Sequence, residues 1–222
     1  MISETVAGTV ASARERAPAP RLYLVDDDPM VRESVEALFA AHDRAVATFS
    51  SIAGLLDSLE PDASGCLLLD IRMPGEDGVS AVPMLRERFP CLIIIMITAH
   101  ADVDSAVRAL KAGAVDFIRK PWRREVLFEA VDQALSRAGR LRTALDAHLT
   151  ARKLMASLTP RERDVFEELI TGAANKVVAR RLNLSPRTVE FHRARIFEKT
   201  ERKSAAELVR LKTDAERDPT AV

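Results

Sequence analysis

The sequence is poor in several residue types and patterns, and each shortage excludes something. It has two cysteines, one tryptophan and one tyrosine in 222 residues. Two thiols cannot make a multi-bridge framework, and Cys66 and Cys91 both stand in apolar stretches, as small buried hydrophobes do. The four histidines are scattered, with no metal-ligand spacing. No apolar run approaches the ~20 residues that a membrane helix needs. The longest, Cys91–Thr98 (CLIIIMIT), has the length of a buried strand. Residues 1–20 lack the continuous apolar core of a signal peptide and end Ala-Pro-Ala-Pro, which predicts a flexible tail. A cytoplasmic protein with no membrane partner is expected.

What remains is ordinary globular composition, 47% apolar and 30% charged, over a length that suits one or two domains. The formal net charge of zero hides an asymmetry. Residues 21–130 hold 12 Lys and Arg against 18 Asp and Glu, whereas residues 159–212 hold 13 against 8. An acidic half joined to a basic half suggests two tasks, and the basic half suits nucleic acid.

The first half alternates. Short apolar runs at 21–26, 45–49, 66–70, 92–98 and 115–118 predict strands. Helices are predicted from Pro29, over 52–59, 79–88 and 103–112, and from Glu125 onward. Asp28 followed by Pro29 has the chemistry of a helix start. Five strands alternating with five helices imply an α/β doubly wound, five-stranded parallel sheet covered on both faces. In such sheets the site lies beyond the carboxyl ends of the strands. Asp26, Asp27 and Asp28 follow the first strand, Asp70 ends the third, Thr98 the fourth, and Lys120 follows the fifth.

Each residue type has a chemical reason to be there. Clustered carboxylates repel, and a hard divalent cation relieves them; Mg²⁺ binds a few carboxylates and keeps waters. One carboxylate can then attack a phosphoryl group, with an ammonium spreading the charge and a hydroxyl bonding the new oxygens. Any single acid is as well explained as a cap or a solvated loop residue; the arrangement at successive strand ends is not.

The stretches LVDDD (24–28), LDIRMPGEDG (69–78), ITA (97–99), KAGAVD (111–116) and Lys120-Pro121 resemble the receiver domains of two-component systems. The resemblance implies a flavodoxin-like fold with Asp70 as phospho-acceptor. It implies Mg²⁺ held by Asp26, Asp27, Asp70 and the backbone carbonyl of Arg72. Thr98 and Lys120 would contact the phosphoryl group, Phe117 would be the aromatic switch partner of Thr98, and Lys120-Pro121 a cis peptide. A phosphatase using a nucleophilic aspartate needs a second Asp two residues on, and Arg72 stands there. The domain is therefore expected to accept phosphate rather than turn it over, and no enzyme is expected.

After Pro121 the pattern stays helical. Leu127, Val131, Leu135, Leu141, Leu145 and Leu149 form a broad apolar stripe that only Gly139 interrupts, so the last receiver helix could fray or run on as a linker. Thr159-Pro160-Arg161-Glu162 has the chemistry of a capping box. Further helices are predicted over 175–182, 187–199 and from Ser204 past Leu211, the first two joined by a tight turn at Asn183-Leu184. LTPRER (158–163), NKVVARRL (175–182), LSPRTVEFH (184–192) and AELV (206–209) are similar to the LuxR-type all-α helix-turn-helix domain. With the receiver, the chain resembles the FixJ branch of response regulators. By that resemblance Lys176, Arg187, Thr188 and Lys199 hold the DNA backbone, while Glu190, Phe191, Ala194 and Arg195 face bases in the major groove.

The expected organisation is a tail (1–20), a receiver domain (21–138), a helical linker (139–156), a helix-turn-helix domain (157–213) and a C-terminal tail (214–222). The expected function is phosphorylation-dependent transcription regulation. Its partners are a sensor histidine kinase, double-stranded promoter DNA, a second copy through residues 103–119, and RNA polymerase as a candidate. A phosphate relay with vestigial DNA binding is the rival, and the retained basic residues of 187–199 speak against it.

Overall fold

The computed structural model of the chain describes residues 21–99 and 103–219; the tail expected at 1–20 lies outside them. The chain runs β1 (Arg21–Val25), α1 (Pro29–Ala40), β2 (Val46–Phe49), α2 (Ile52–Ser58) and β3 (Ser64–Asp70). A small antiparallel ribbon follows, β4 (Arg72–Met73) and β5 (Glu76–Asp77), whose two-residue strands are too short to carry a sequence periodicity. Then come α3 (Gly78–Arg88), β6 (Cys91–Thr98), α4 (Val103–Ala112), β7 (Asp116–Arg119) and α5 (Arg124–Ala156).

The main sheet has the order β2-β1-β3-β6-β7 with every pair parallel, the doubly wound flavodoxin-like arrangement. Alternate side chains of a strand point to opposite faces. Tyr23, Val25, Leu67, Leu69, Ile94 and Met96 therefore meet α2, α3 and α4, while Leu22, Leu24, Cys66, Leu68, Ile93 and Ile95 meet α1 and α5. Both faces are covered, so the central strands must be apolar throughout, and β3 and β6 are buried end to end. Cys66 and Cys91 are free thiols inside this core.

Helix α5 is continuous over 33 residues and passes through Gly139. A glycine in mid-helix costs about 1 kcal/mol relative to alanine. That is offset because the helix is anchored at both ends. Ala138 is buried and Leu141 packs against the α1/α5 face of the sheet, while Ala151, Leu154 and Met155 pack into the helical domain. Residues 139–156 are thus shared between two cores rather than forming a free spacer. Arg142 adds a polar tie, donating to the Asp62 carbonyl and pairing with the carboxylates of Asp62 (3.4 Å) and Asp146 (3.1 Å). The expected leucine stripe breaks at Leu149, which is 56% exposed because it faces neither core.

The second core is built by α6 (Pro160–Ile170), α7 (Asn175–Leu182), α8 (Pro186–Thr200) and α9 (Ala205–Glu216) around Val165, Phe166, Val178, Val189, Ile196 and Leu208. Thr159 and Glu162 form the capping box, Asn183 takes the left-handed conformation (φ 53°) that turns α7 into α8, and Ser185 caps α8. Residues 214–216, expected to belong to a C-terminal tail, are part of α9. Helix α9 continues through Glu216 because Ala215 packs on the core and Lys212 pairs with Glu167 and Glu216.

Candidate functional site

At the carboxyl end of the sheet, Asp26 follows β1 and its N–H extends the ladder to the Phe49 carbonyl (3.1 Å). Asp70 is the last residue of β3, and Thr98 the last of β6, the neighbouring strand. All three are buried, Asp26 completely. One carboxylate oxygen each from Asp26, Asp27 and Asp70 lies within 4.8 Å of the others. Lys120, just past β7, places Nζ 2.6 Å from Asp26 Oδ2 and 3.0 Å from Asp70 Oδ1, and its N–H donates to the Thr98 carbonyl at 2.7 Å. The Lys120-Pro121 bond is cis.

Burial pushes the Asp70 carboxyl above its usual range, and the hydrogen bond and charge of Lys120 partly restrain it. Burial alone would lower Lys120, but its hydrogen bonds to Asp26 and Asp70 prevail and raise it, so the ammonium stays charged. One ammonium against three carboxylates leaves two negative charges in a half-enclosed pocket. That donor set, all hard oxygen, fits a divalent cation of the Mg²⁺ kind.

Two neighbours shape this pocket that the sequence reading did not single out. Arg32 on α1 donates Nη1 to the carbonyls of Asp26 (2.6 Å) and Asp27 (2.9 Å). Gly78 starts α3 so close to β3 that a Cβ there would lie 2.1 Å from the Asp70 carbonyl oxygen. Gly78 lies in the quoted motif, but its reason is a contact between elements. Gly78→Ala is expected to destabilise the chain by about 1–3 kcal/mol through overpacking, read as a lower urea midpoint; an unmoved midpoint would show that α3 shifts freely.

The other expected residues fall as follows. Phe117 is half-buried on β7, opposite Met96, against the core beneath α4. Arg72 is exposed on β4, and its backbone N–H donates to the Asp70 carboxylate. On α8, Val189 and Ile196 are buried, which turns Arg187, Glu190, Phe191, Ala194 and Arg195 to solvent. Phe191 is 62% exposed, and among the described residues Glu190 has no ion pair. Among the described residues Arg195 pairs with exposed Glu198, a contact worth at most about 1 kcal/mol. Lys176 is exposed on α7, and Thr188 Oγ1 lies 2.8 Å from the Ser185 hydroxyl. Lys199 departs from expectation: its ammonium is bound by the Glu162 carboxylate (2.6 Å) and the Ser157 carbonyl (3.2 Å), inside the domain's own framework. That partner is 37 residues away in the chain, beyond any local pattern.

A parallel sheet with this acidic pocket, followed by an exposed helix-turn-helix, defines a DNA-binding response regulator. The response regulator receiver domain family matches residues 22–132, and the luxR family of bacterial regulatory proteins matches residues 156–212. The chain belongs to the response regulators of the FixJ type, which are transcription regulators controlled by phosphorylation. It is 38% identical over 192 residues to the transcriptional regulatory protein FixJ of Bradyrhizobium diazoefficiens, covering 86% of this chain and 93% of that one. It is 37% identical over 190 residues to the response regulator protein TodT of Pseudomonas putida, covering 86% and 84%. Among solved structures it is similar to the response regulator StyR (TM-score 0.80, 36% identity, 88% of this chain and 98% of that one). Full-length FixJ from B. japonicum matches with TM-score 0.53 and 36% identity over 88% and 97%.

Proposed function

We propose that Asp70 accepts a phosphoryl group from a sensor histidine kinase and thereby controls promoter binding by α8. The observation that carries this is Lys120 Nζ held between the buried carboxylates of Asp26 and Asp70 at the end of the sheet. A carboxylate oxygen of Asp70 attacks phosphorus, the bond to the donor's imidazole nitrogen breaks, and that nitrogen keeps the electron pair. Lys120 stabilises charge on the transferring group, and the Thr98 hydroxyl donates a hydrogen bond to the new oxygens. Asp26, Asp27, Asp70 and the Arg72 carbonyl would hold Mg²⁺, which when bound neutralises the pocket and the incoming phosphate. The phosphoryl group leaves slowly to water, because Arg72 offers no acid or base where a phosphatase would need one; the chain is a switch and not an enzyme.

Phosphorylation adds ~1–2 negative charges beside Thr98 and Lys120. Thr98 moves toward them, Phe117 follows, and the face made by residues 103–119 reshapes into a two-fold dimer surface. Val107 and Leu110, which are 41% and 50% exposed on α4, supply apolar area for it. Dimerisation sets two copies of α8 on half-sites about one helical turn apart. The working division is a receiver over 21–138 and a DNA-binding domain from residue 157 to the end of α9, joined by residues 139–156 of α5, which contribute to both cores. Its place is the cytoplasm, with the promoter DNA, and RNA polymerase is a further candidate partner.

Operator binding is expected to tighten with a small-molecule phosphodonor and to weaken steeply with salt. Lys176→Ala and Arg187→Ala should each flatten the slope of log K against log salt by about 1, as loss of one phosphate contact does. Lys199→Ala should leave that slope unchanged, because its ammonium is already bound. Gel shifts at several salt concentrations decide this, and salt-insensitive binding would favour the relay reading.

A further inference from the structure

Two of the three consecutive acids after β1, Asp26 and Asp27, gather with a third carboxylate, Asp70, and mutual repulsion works to turn them outward. Asp26 is nonetheless fully buried, with its Oδ1 taking the Asp28 N–H (3.1 Å) and its Oδ2 taking Lys120. Something must hold the backbone of this turn. Arg32 lies one turn into α1, a helix started by the Asp28 cap, and its single Nη1 reaches the carbonyls of Asp26 at 2.6 Å and Asp27 at 2.9 Å. Among the described residues Arg32 makes no ion pair with any carboxylate, so it grips the turn only through its backbone. One nitrogen with two N–H bonds fixes two successive peptide units, and charge-assisted bonds of this length are among the stronger ones.

We infer that Arg32 is a positioning residue for divalent-cation binding: it clamps the Asp26–Asp27 backbone so that both carboxylates stay aimed at Asp70. The inference rests on the Mg²⁺ reading above. Its action is indirect, through the orientation of ligands, and groups that orient metal ligands typically change affinity by ~10–100-fold when removed. Orientation and bare charge predict opposite signs. A cation acting only by its charge repels Mg²⁺, so its removal would tighten binding. A clamp that aims the ligands makes its removal weaken binding.

The test is a MgCl₂ titration of the full chain, followed by the ¹H–¹⁵N resonances of residues 26–28, with hydrogen exchange of the Asp28 amide measured in metal-free protein. Arg32→Met is expected to weaken Mg²⁺ binding about tenfold and to speed exchange at Asp28. Arg32→Lys, which keeps a cationic donor, should recover at least half of the lost affinity on a logarithmic scale, and it keeps the test available if the Met variant folds poorly. Affinity unchanged or tighter in Arg32→Met, or no recovery in Arg32→Lys, overturns the clamp. If the wild-type chain shows no saturable Mg²⁺ response, the cation reading itself fails and the inference falls with it. If the wild type binds and Arg32→Met binds equally, only the inference falls.

Discussion

Asp70→Asn is expected to abolish phosphoryl incorporation from a small-molecule donor and to make operator affinity insensitive to that donor. Asparagine nearly matches aspartate in shape, so β3 and its packing should persist. Its amide oxygen can still accept the Lys120 hydrogen bond, and Lys120 keeps its shorter contact to Asp26. What disappears is the anionic nucleophile, and a neutral amide is a poor substitute for it. The other buried acid of the cluster, Asp26, has both oxygens occupied by Asp28 and Lys120. It should not replace Asp70 as acceptor. Intact-mass measurement after donor treatment reads the first expectation, and a gel shift with and without donor reads the second. Incorporation at the wild-type level in Asp70→Asn would remove the acceptor assignment and the switch built on it.

The second large effect belongs to the helical domain. Glu162 is almost fully buried, and its carboxylate accepts from Lys199 Nζ (2.6 Å) and from the Thr159 N–H (2.8 Å). The Lys199 hydrogen bond is the chief cause that holds Glu162 far below the usual carboxylate range, at about 2 against 4.5; burial opposes it, and the Thr159 bonds assist. A folded-state pKa below the unfolded one means that this stability is fully present above about pH 4.5 and lost as pH falls toward about 2. At neutral pH the contribution is about 2–3 kcal/mol, allowing for partial solvent screening of Lys199. Glu162→Ala should therefore lower the stability of the helix-turn-helix domain by about that much at pH 7, and by much less near pH 2. The lone tryptophan, Trp122, packs against the receiver core, so its fluorescence reports that half. Far-UV circular dichroism reports both halves. In urea the helical-domain transition should move while the Trp122 transition stays. If neither moves at pH 7, the pair contributes nothing and Lys199 becomes available to DNA phosphates again.

Arg32 and Lys199 show where reading residues alone stops. Both are ordinary basic residues on amphipathic helices, and nothing within four positions of either names its partner. Lys199 looks like a phosphate contact until α6 is packed beside α8. Arg32 looks like solvated surface until α1 is docked against the sheet and the two carbonyls of the acidic turn come within reach. The ribbon β4–β5 was missed for a related reason. Two residues per strand carry no periodicity, and the ribbon exists because Arg72 and Met73 pair with Asp77 and Glu76 across a tight turn.

Read residue by residue, the chain already shows the alternation of five strand segments with helices, the Asp28, Ser185 and Thr159–Glu162 caps and the acids waiting at strand ends. Those features rest on interactions spanning at most about one helical turn or on the side-chain period of a strand. Packing is what makes α5 cross Gly139 unbroken, lets Lys120 bridge two acids far from it in the chain, and gives Lys199 to Glu162. Each depends on a distance between segments remote in sequence, and a distance of that kind exists only once the cores have packed.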